Sequence, residues 1–369
     1  MSPRPPGSSA ASASANSPIY EMEHWERVVR ESYERMYAPL RADPHCHPPT
    51  EKCVNAMFQR ANATPARFPW WLRNLMRDAR NWYLAVYTVL ADASTTPIAA
   101  CTIEKVGITT WKQHFNKLLR MRLAQKGTPH PCIACPAAKK VKDSRVASCL
   151  LKRSARQPIP GCSYLPELHA DPEWLTFAIV RDPLERFLSG YLDKCVSGQY
   201  LYQEGHCMPL EMFRNGTRST ALAGMSEATQ LETFVDVFPL HANLHFFPQA
   251  MQCDQLGLSH RNYTFIGSMN ETFKAQVRAL NSLVRARYER HHHLAPGELT
   301  PWERAMEEFP GGLDGDGIAR DAKGGRSTNA AAKLTKYFTR HSVERLLRYY
   351  SIDYVELNLP LPRWLAQYR

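Results

Sequence analysis

One run constrains the fold of this chain more than any other: Leu175-Thr176-Phe177-Ala178-Ile179-Val180, followed at once by Arg181-Asp182-Pro183. Six apolar or β-branched residues without alternation read as a strand buried on both faces, the kind found inside parallel sheets. Asp182 suits a helix N-cap and Pro183 the first helical turn. Leu184, Phe187, Leu188 and Tyr191 then recur at three and four, which predicts a helix with one apolar face. Arg181 is thereby placed at the carboxyl end of a strand, with Ser189 on the helix behind it. Ligands of open α/β sheets bind off that end. An Arg beside a hydroxyl and a helix N-terminus is chemically a place for a phosphate.

A second strand–loop–helix unit spans Pro97 to Lys112. Its apolar run ends at Glu104-Lys105-Val106-Gly107, and Thr109 and Thr110 open the next helix. Gly107 lets the backbone approach an anion, Lys105 supplies a point charge, and the threonines cap the helix and donate hydroxyls. The Gly-x-x-x-x-Gly-Lys-Ser/Thr pattern of nucleotide triphosphatases is absent.

Together the two stretches resemble a known family. Lys105-Val106-Gly107-x-Thr109-x-Trp111-Lys112 resembles the 5′-phosphosulfate loop of sulfotransferases that use 3′-phosphoadenosine-5′-phosphosulfate (PAPS). The spacing is that of the Golgi carbohydrate branch, such as the chondroitin and HNK-1 sulfotransferases; the cytosolic branch has one residue fewer between Gly and Trp. Val180-Arg181-Asp182-Pro183-x-Glu185-Arg186-x-x-Ser189-x-Tyr191 resembles the 3′-phosphate motif of the same branch. The resemblance runs over roughly residues 96–358. One departure is Glu104, where the family has Pro.

The resemblance implies an α/β, P-loop-like three-layer fold with a central parallel sheet flanked by helices. It implies PAPS as co-substrate, a glycan acceptor and no metal. Lys105, Val106, Gly107, Ile108, Thr109, Thr110 and Trp111 are expected around the phosphosulfate, and Arg181 and Ser189 at the 3′-phosphate. Arg326 and Thr328 match the late segment that closes over the cofactor. Lys105 is the expected electrophilic catalyst, and a His the expected base. His245 matches a local family segment with Asn243 and Gln249 nearby; His169 precedes the strand leading to Arg181. His245 is preferred. Two other readings stay open: a non-catalytic basic glycan- or nucleic-acid-binding protein on the same fold, and a kinase-like transferase. A Lys in a Gly loop paired with a distant Arg…Ser disfavours the first, and the missing Mg²⁺-site patterns the second.

The rest of the chain sets the context. Its 369 residues are 44% apolar, enough for a substantial core, and its formal net charge of +11 favours an acidic partner. Nucleic acid is not the expected one. The expected division is a disordered Pro/Ser/Ala-rich tail at 1–18, a helical segment at 19–95 capping the core, with Trp70, Trp71 and Trp82 as packing residues, and the catalytic domain at 96–369. Gly127 to Gly161 reads as a lysine-rich loop that walls the acceptor groove. Short strands and helices are expected near 263–267, 231–237, 270–287 and 343–354. His130, Cys132 and Cys135 lack the second half of a zinc site. No run of about 18 apolar residues and no signal-peptide core occurs; the family resemblance alone implies a Golgi membrane protein. It also implies at least one disulfide among Cys195, Cys207 and Cys253. Sequons at Asn62, Asn215, Asn262 and Asn270 point the same way.

Overall fold

The structure, a computed structural model, describes residues 18–43, 86–89, 98–101, 103, 105–107, 111, 114, 118, 149–150, 175–196, 224–237, 245–252, 263–307 and 329–368. Five strands form one sheet: β1 (Val86–Val89), β2 (Ile98–Cys101), β3 (Cys149–Leu150), β4 (Leu175–Val180) and β5 (Phe265–Ser268), in the order β3-β1-β2-β4-β5. β2, β4 and β5 run parallel, while β1 is antiparallel to both its neighbours.

The expected parallel sheet is therefore a mixed one, for a reason of chain length. The residues between Val89 and Ile98 are too few for a crossover helix, so β1 returns antiparallel. From β2 to β4 the chain has ample length for a crossover. Strand β1 also corrects the helical reading of the stretch up to Leu90. Val86-Tyr87-Thr88-Val89 is β-branched and aromatic, which favours a pleated strand. Likewise Cys149–Leu150, inside the expected loop, pairs with β1. The remainder of that loop, the tail and the Trp70–Trp82 segment lie outside the described residues.

Every residue of β4 is buried, and its alternate residues go to two different clusters. Leu175, Phe177 and Ile179 join Trp111 and residues of two later helices, while Ala178 and Val180 join the larger cluster on the other face. Helices account for both. Those of six residues or more are α1 (Pro18–Met36), α2 (Pro183–Tyr191), α3 (Glu227–Val237), α4 (Phe273–Glu289), α5 (Pro301–Glu307), α6 (Arg340–Tyr349) and α7 (Ser351–Glu356). Phe273, Val277, Leu280 and Val284 of α4 follow the helical repeat and cover the first face with Trp302 and Met306 of α5. α1 to α3, α6 and α7 contribute to the second cluster. α1 docks on the chain's far end: Trp25 Nε1 donates to the Leu365 carbonyl at 3.2 Å.

Candidate active site

The parallel register decides where the two anion-binding stretches meet. Cys101 pairs with Ala178, so Lys105 and Arg181 both leave the sheet just past the carboxyl ends of adjacent strands. Lys105 has φ +70° and Gly107 φ +74°. Left-handed backbone is uncommon for Lys, and two such residues flanking Val106 turn the chain sharply at the strand end. The Trp111 amide then donates to the Gly107 carbonyl at 3.1 Å, starting the following turn.

Val106 and Trp111 are packing residues in this arrangement. Val106 is buried with Ala178 and Val180, and Trp111 lies between Phe177, His114 and Trp302. They pin the loop from both faces of the sheet, so any contribution of Val106 to an anion comes through its backbone. Ile108, Thr109, Thr110, His169, Arg326 and Thr328 lie outside the described residues.

Lys105 Nζ meets Asp193 Oδ2 at 3.0 Å, and Lys194 Nζ approaches the same oxygen at 3.6 Å. Asp193 sits in a π-helical turn, Leu192–Val196, that extends α2, and it is almost fully buried. The ion pair therefore ties the Lys105 loop to the helix that follows Arg181. π-turns of this kind are often found at functional sites. Cys101, at the end of β2, and Cys195, in the π-turn, are both disulfide-bonded. Cys207 and Cys253 lie outside the described residues.

Asp182 caps α2 as its sequence position predicts: its Oδ1 accepts from the Glu185 amide at 2.9 Å, and Pro183 opens the helix. Arg181 Nε donates to Glu185 Oε2 at 3.0 Å. No described residue engages its two terminal nitrogens, which present the fork that suits a phosphate. Ser189 is buried on α2.

The backbone of His245 packs on α2 at Gly190. A Cβ on Gly190 would stand 3.2 Å from the His245 carbonyl and 2.9 Å from the Phe246 ring. The 245–247 turn thus lies directly on α2, one residue from Ser189. The same turn continues to Gln249, whose amide contacts the backbone of Arg181. Lys105, Arg181, Ser189 and the backbone of His245 are in this way set around α2 and its π-turn.

Three polar residues of the site were not singled out by the sequence, Asp193, Asp353 and Tyr354, and Arg186 stood in the quoted motif without a role of its own. Arg186 and Asp353 are completely buried. Burial pushes the Asp182 and Asp353 carboxyls up to about 6, against hydrogen bonds that favour their ionised forms. The available signal was an Asp inside the apolar run Ile352-Asp353-Tyr354. A charged residue buried in a core needs partners.

A model of the sulfotransferase family matches residues 90–359, a span that begins at the end of β1 and closes after α7. The chain belongs to the sulfotransferase family. Among curated proteins it is similar to a Caenorhabditis elegans protein named as a sulfotransferase (vep-2), with 30% identity over 86 residues, 22% of this chain. The chain spans about a quarter of the length of that relative. No solved structure matches. No described helix of this chain is long and apolar enough to cross a membrane.

Proposed function

We propose that this sulfotransferase moves the sulfuryl group of PAPS to a hydroxyl of a glycan, on a P-loop-like three-layer fold. The observation that carries the reading is the pairing of two strand ends. Lys105 in a left-handed loop after β2 lies beside Arg181 after β4, in parallel register. The donor set fits a bisphosphorylated nucleotide: a half-buried ammonium, a guanidinium held at one nitrogen, and a helix N-terminus at Pro183.

In this proposal Lys105, the backbone of Val106 to Ile108, and Thr109 and Thr110 hold the phosphosulfate end. Arg181 and Ser189 hold the 3′-phosphate, and Arg326 and Thr328 close over the nucleotide. PAPS supplies the sulfuryl group. The acceptor oxygen forms the new S–O bond as the bond to the bridging phosphate oxygen breaks. Lys105 neutralises the charge that builds on that oxygen, so the reaction needs no metal. His245 takes the acceptor proton; His169 is the alternative base. The net charge of +11 suits an anionic glycan acceptor. Disulfide-bonded Cys101 and Cys195 support an oxidising compartment, in keeping with a Golgi lumenal enzyme.

The test is incubation of the full chain with ³⁵S-labelled PAPS and a panel of neutral and anionic glycans. Label recovered in a glycan, with matching 3′,5′-ADP, supports the proposal. Glycan binding without label transfer would leave the non-catalytic reading in its place.

A further inference from the structure

The turn from His245 to Gln252 connects Arg181 to the last helices of the chain. Gln249 is fully buried, and its side-chain amide grips one residue at two points. Oε1 accepts from the Arg181 amide at 3.0 Å, and Nε2 donates to the Arg181 carbonyl at 2.8 Å. Both peptide groups flanking the Arg181 Cα are thus fixed by one side chain.

Gln249 is itself held. Its amide donates to Asp353 Oδ2 at 3.0 Å, and the Ala250 amide to Asp353 Oδ1 at 2.8 Å. The next residue of α7, Tyr354, donates its hydroxyl to Asp182 Oδ2 at 2.9 Å. Two successive residues of α7 therefore hold Arg181 and Asp182, one through Gln249 and one directly. The rest of the turn is equally fixed. The Phe247 carbonyl accepts from Arg186 Nη1 at 2.8 Å and Gln252 Nε2 at 2.9 Å, and the Phe246 carbonyl from the Tyr350 hydroxyl at 2.6 Å.

A guanidinium that binds an anion bidentately depends on a backbone placed to within about 0.5 Å. We propose that Gln249, locked by Asp353, is a positioning residue for Arg181. It fixes the main chain from which the guanidinium meets a nucleotide phosphate, and it does not touch the ligand itself. The proposal rests on the reading of Arg181 as a 3′-phosphate ligand.

The experiment is titration calorimetry of the full chain with 3′,5′-ADP. It compares the unmodified protein, Arg181→Ala, Gln249→Met and the double variant. Met keeps the volume of Gln and removes both hydrogen bonds. Arg181→Ala is expected to weaken binding tenfold or more, and Gln249→Met about tenfold, the scale of one well-made buried hydrogen bond. The double variant should bind no more weakly than Arg181→Ala alone, because Gln249 then has nothing left to position. A general loosening of the fold would instead multiply the two losses, and that result overturns the proposal. Unchanged affinity in Gln249→Met, with Arg181→Ala weakened, overturns it while leaving the Arg181 assignment intact. Unchanged affinity in Arg181→Ala overturns both. If Gln249→Met does not fold, Asp353→Asn replaces it in the same cycle. This variant weakens the lock on Gln249, and a loss of about threefold is expected, absent in the Arg181→Ala background; unchanged affinity in Asp353→Asn overturns the proposal.

Discussion

Replacing Gly190 by Ala sets two effects of known sign against each other. Ala is the better helix residue by about 0.5–1 kcal/mol. Its Cβ, however, would sit 2.9 Å from Phe246 Cε1 and 3.2 Å from the His245 carbonyl oxygen. The ring has little room to retreat. Phe246 is fully buried, with its ring 5.4 Å from that of Phe187 and 5.3 Å from that of Phe234. Its carbonyl is anchored to Tyr350. Overpacking in such a setting costs about 1–3 kcal/mol, so the clash outweighs the propensity gain. The expected net loss is about 1–2 kcal/mol, seen as a shift in urea midpoint with unchanged m-value. Gly224→Ala is the internal control. Nothing lies within 4 Å of its Cβ position, so it should be neutral or stabilising by up to about 1 kcal/mol. Equal stability of the two variants would refute the packing of the 245–247 turn on α2.

Two further outcomes follow. Burial raises the Asp353 carboxyl from 3.8 to about 6, so the folded chain holds this proton more tightly than the unfolded one. The resulting stability is present below about pH 4 and lost as pH rises toward 6. The stability of Asp353→Asn relative to the unmodified chain should therefore improve between pH 4 and 7, by about 2–3 kcal/mol in denaturant titrations; a pH-independent difference would contradict the buried carboxyl. His245→Ala, assayed at saturating PAPS, should lose transfer by about 10²–10⁴-fold while keeping its affinity for 3′,5′-ADP. Full activity would remove His245 as base and return the role to His169 or a carboxylate.

What the sequence discloses here depends on how local the physics is. Strand β4, the Asp182 cap and the apolar face of α2 are encoded within seventeen consecutive residues, and all three stand in the structure as their pattern predicts. The left-handed loop at Lys105 and Gly107 is local in the same sense. Strand β1 was hidden because its four residues adjoin an aromatic-rich stretch that reads as helix. The antiparallel pairing of β1 follows from a linker length, which hydrophobic periodicity does not record. The polar contacts were the least legible. Gln249 and Asp353 stand 104 residues apart, and Lys105 and Asp193 meet only because β2 and β4 are neighbours. No sequence pattern ties such partners together. A buried Asp in an apolar run signals that a partner exists without saying which.

The central claim is that Lys105 stabilises the leaving group during sulfuryl transfer. Its most direct test is the rate of ³⁵S transfer from saturating labelled PAPS to an accepted glycan, measured for Lys105→Ala against the unmodified chain. Loss of one preorganised charge at the developing negative oxygen predicts a fall of about 10²–10³-fold or more. A Lys105→Ala enzyme that transfers sulfate within a few-fold of the unmodified rate would contradict the account.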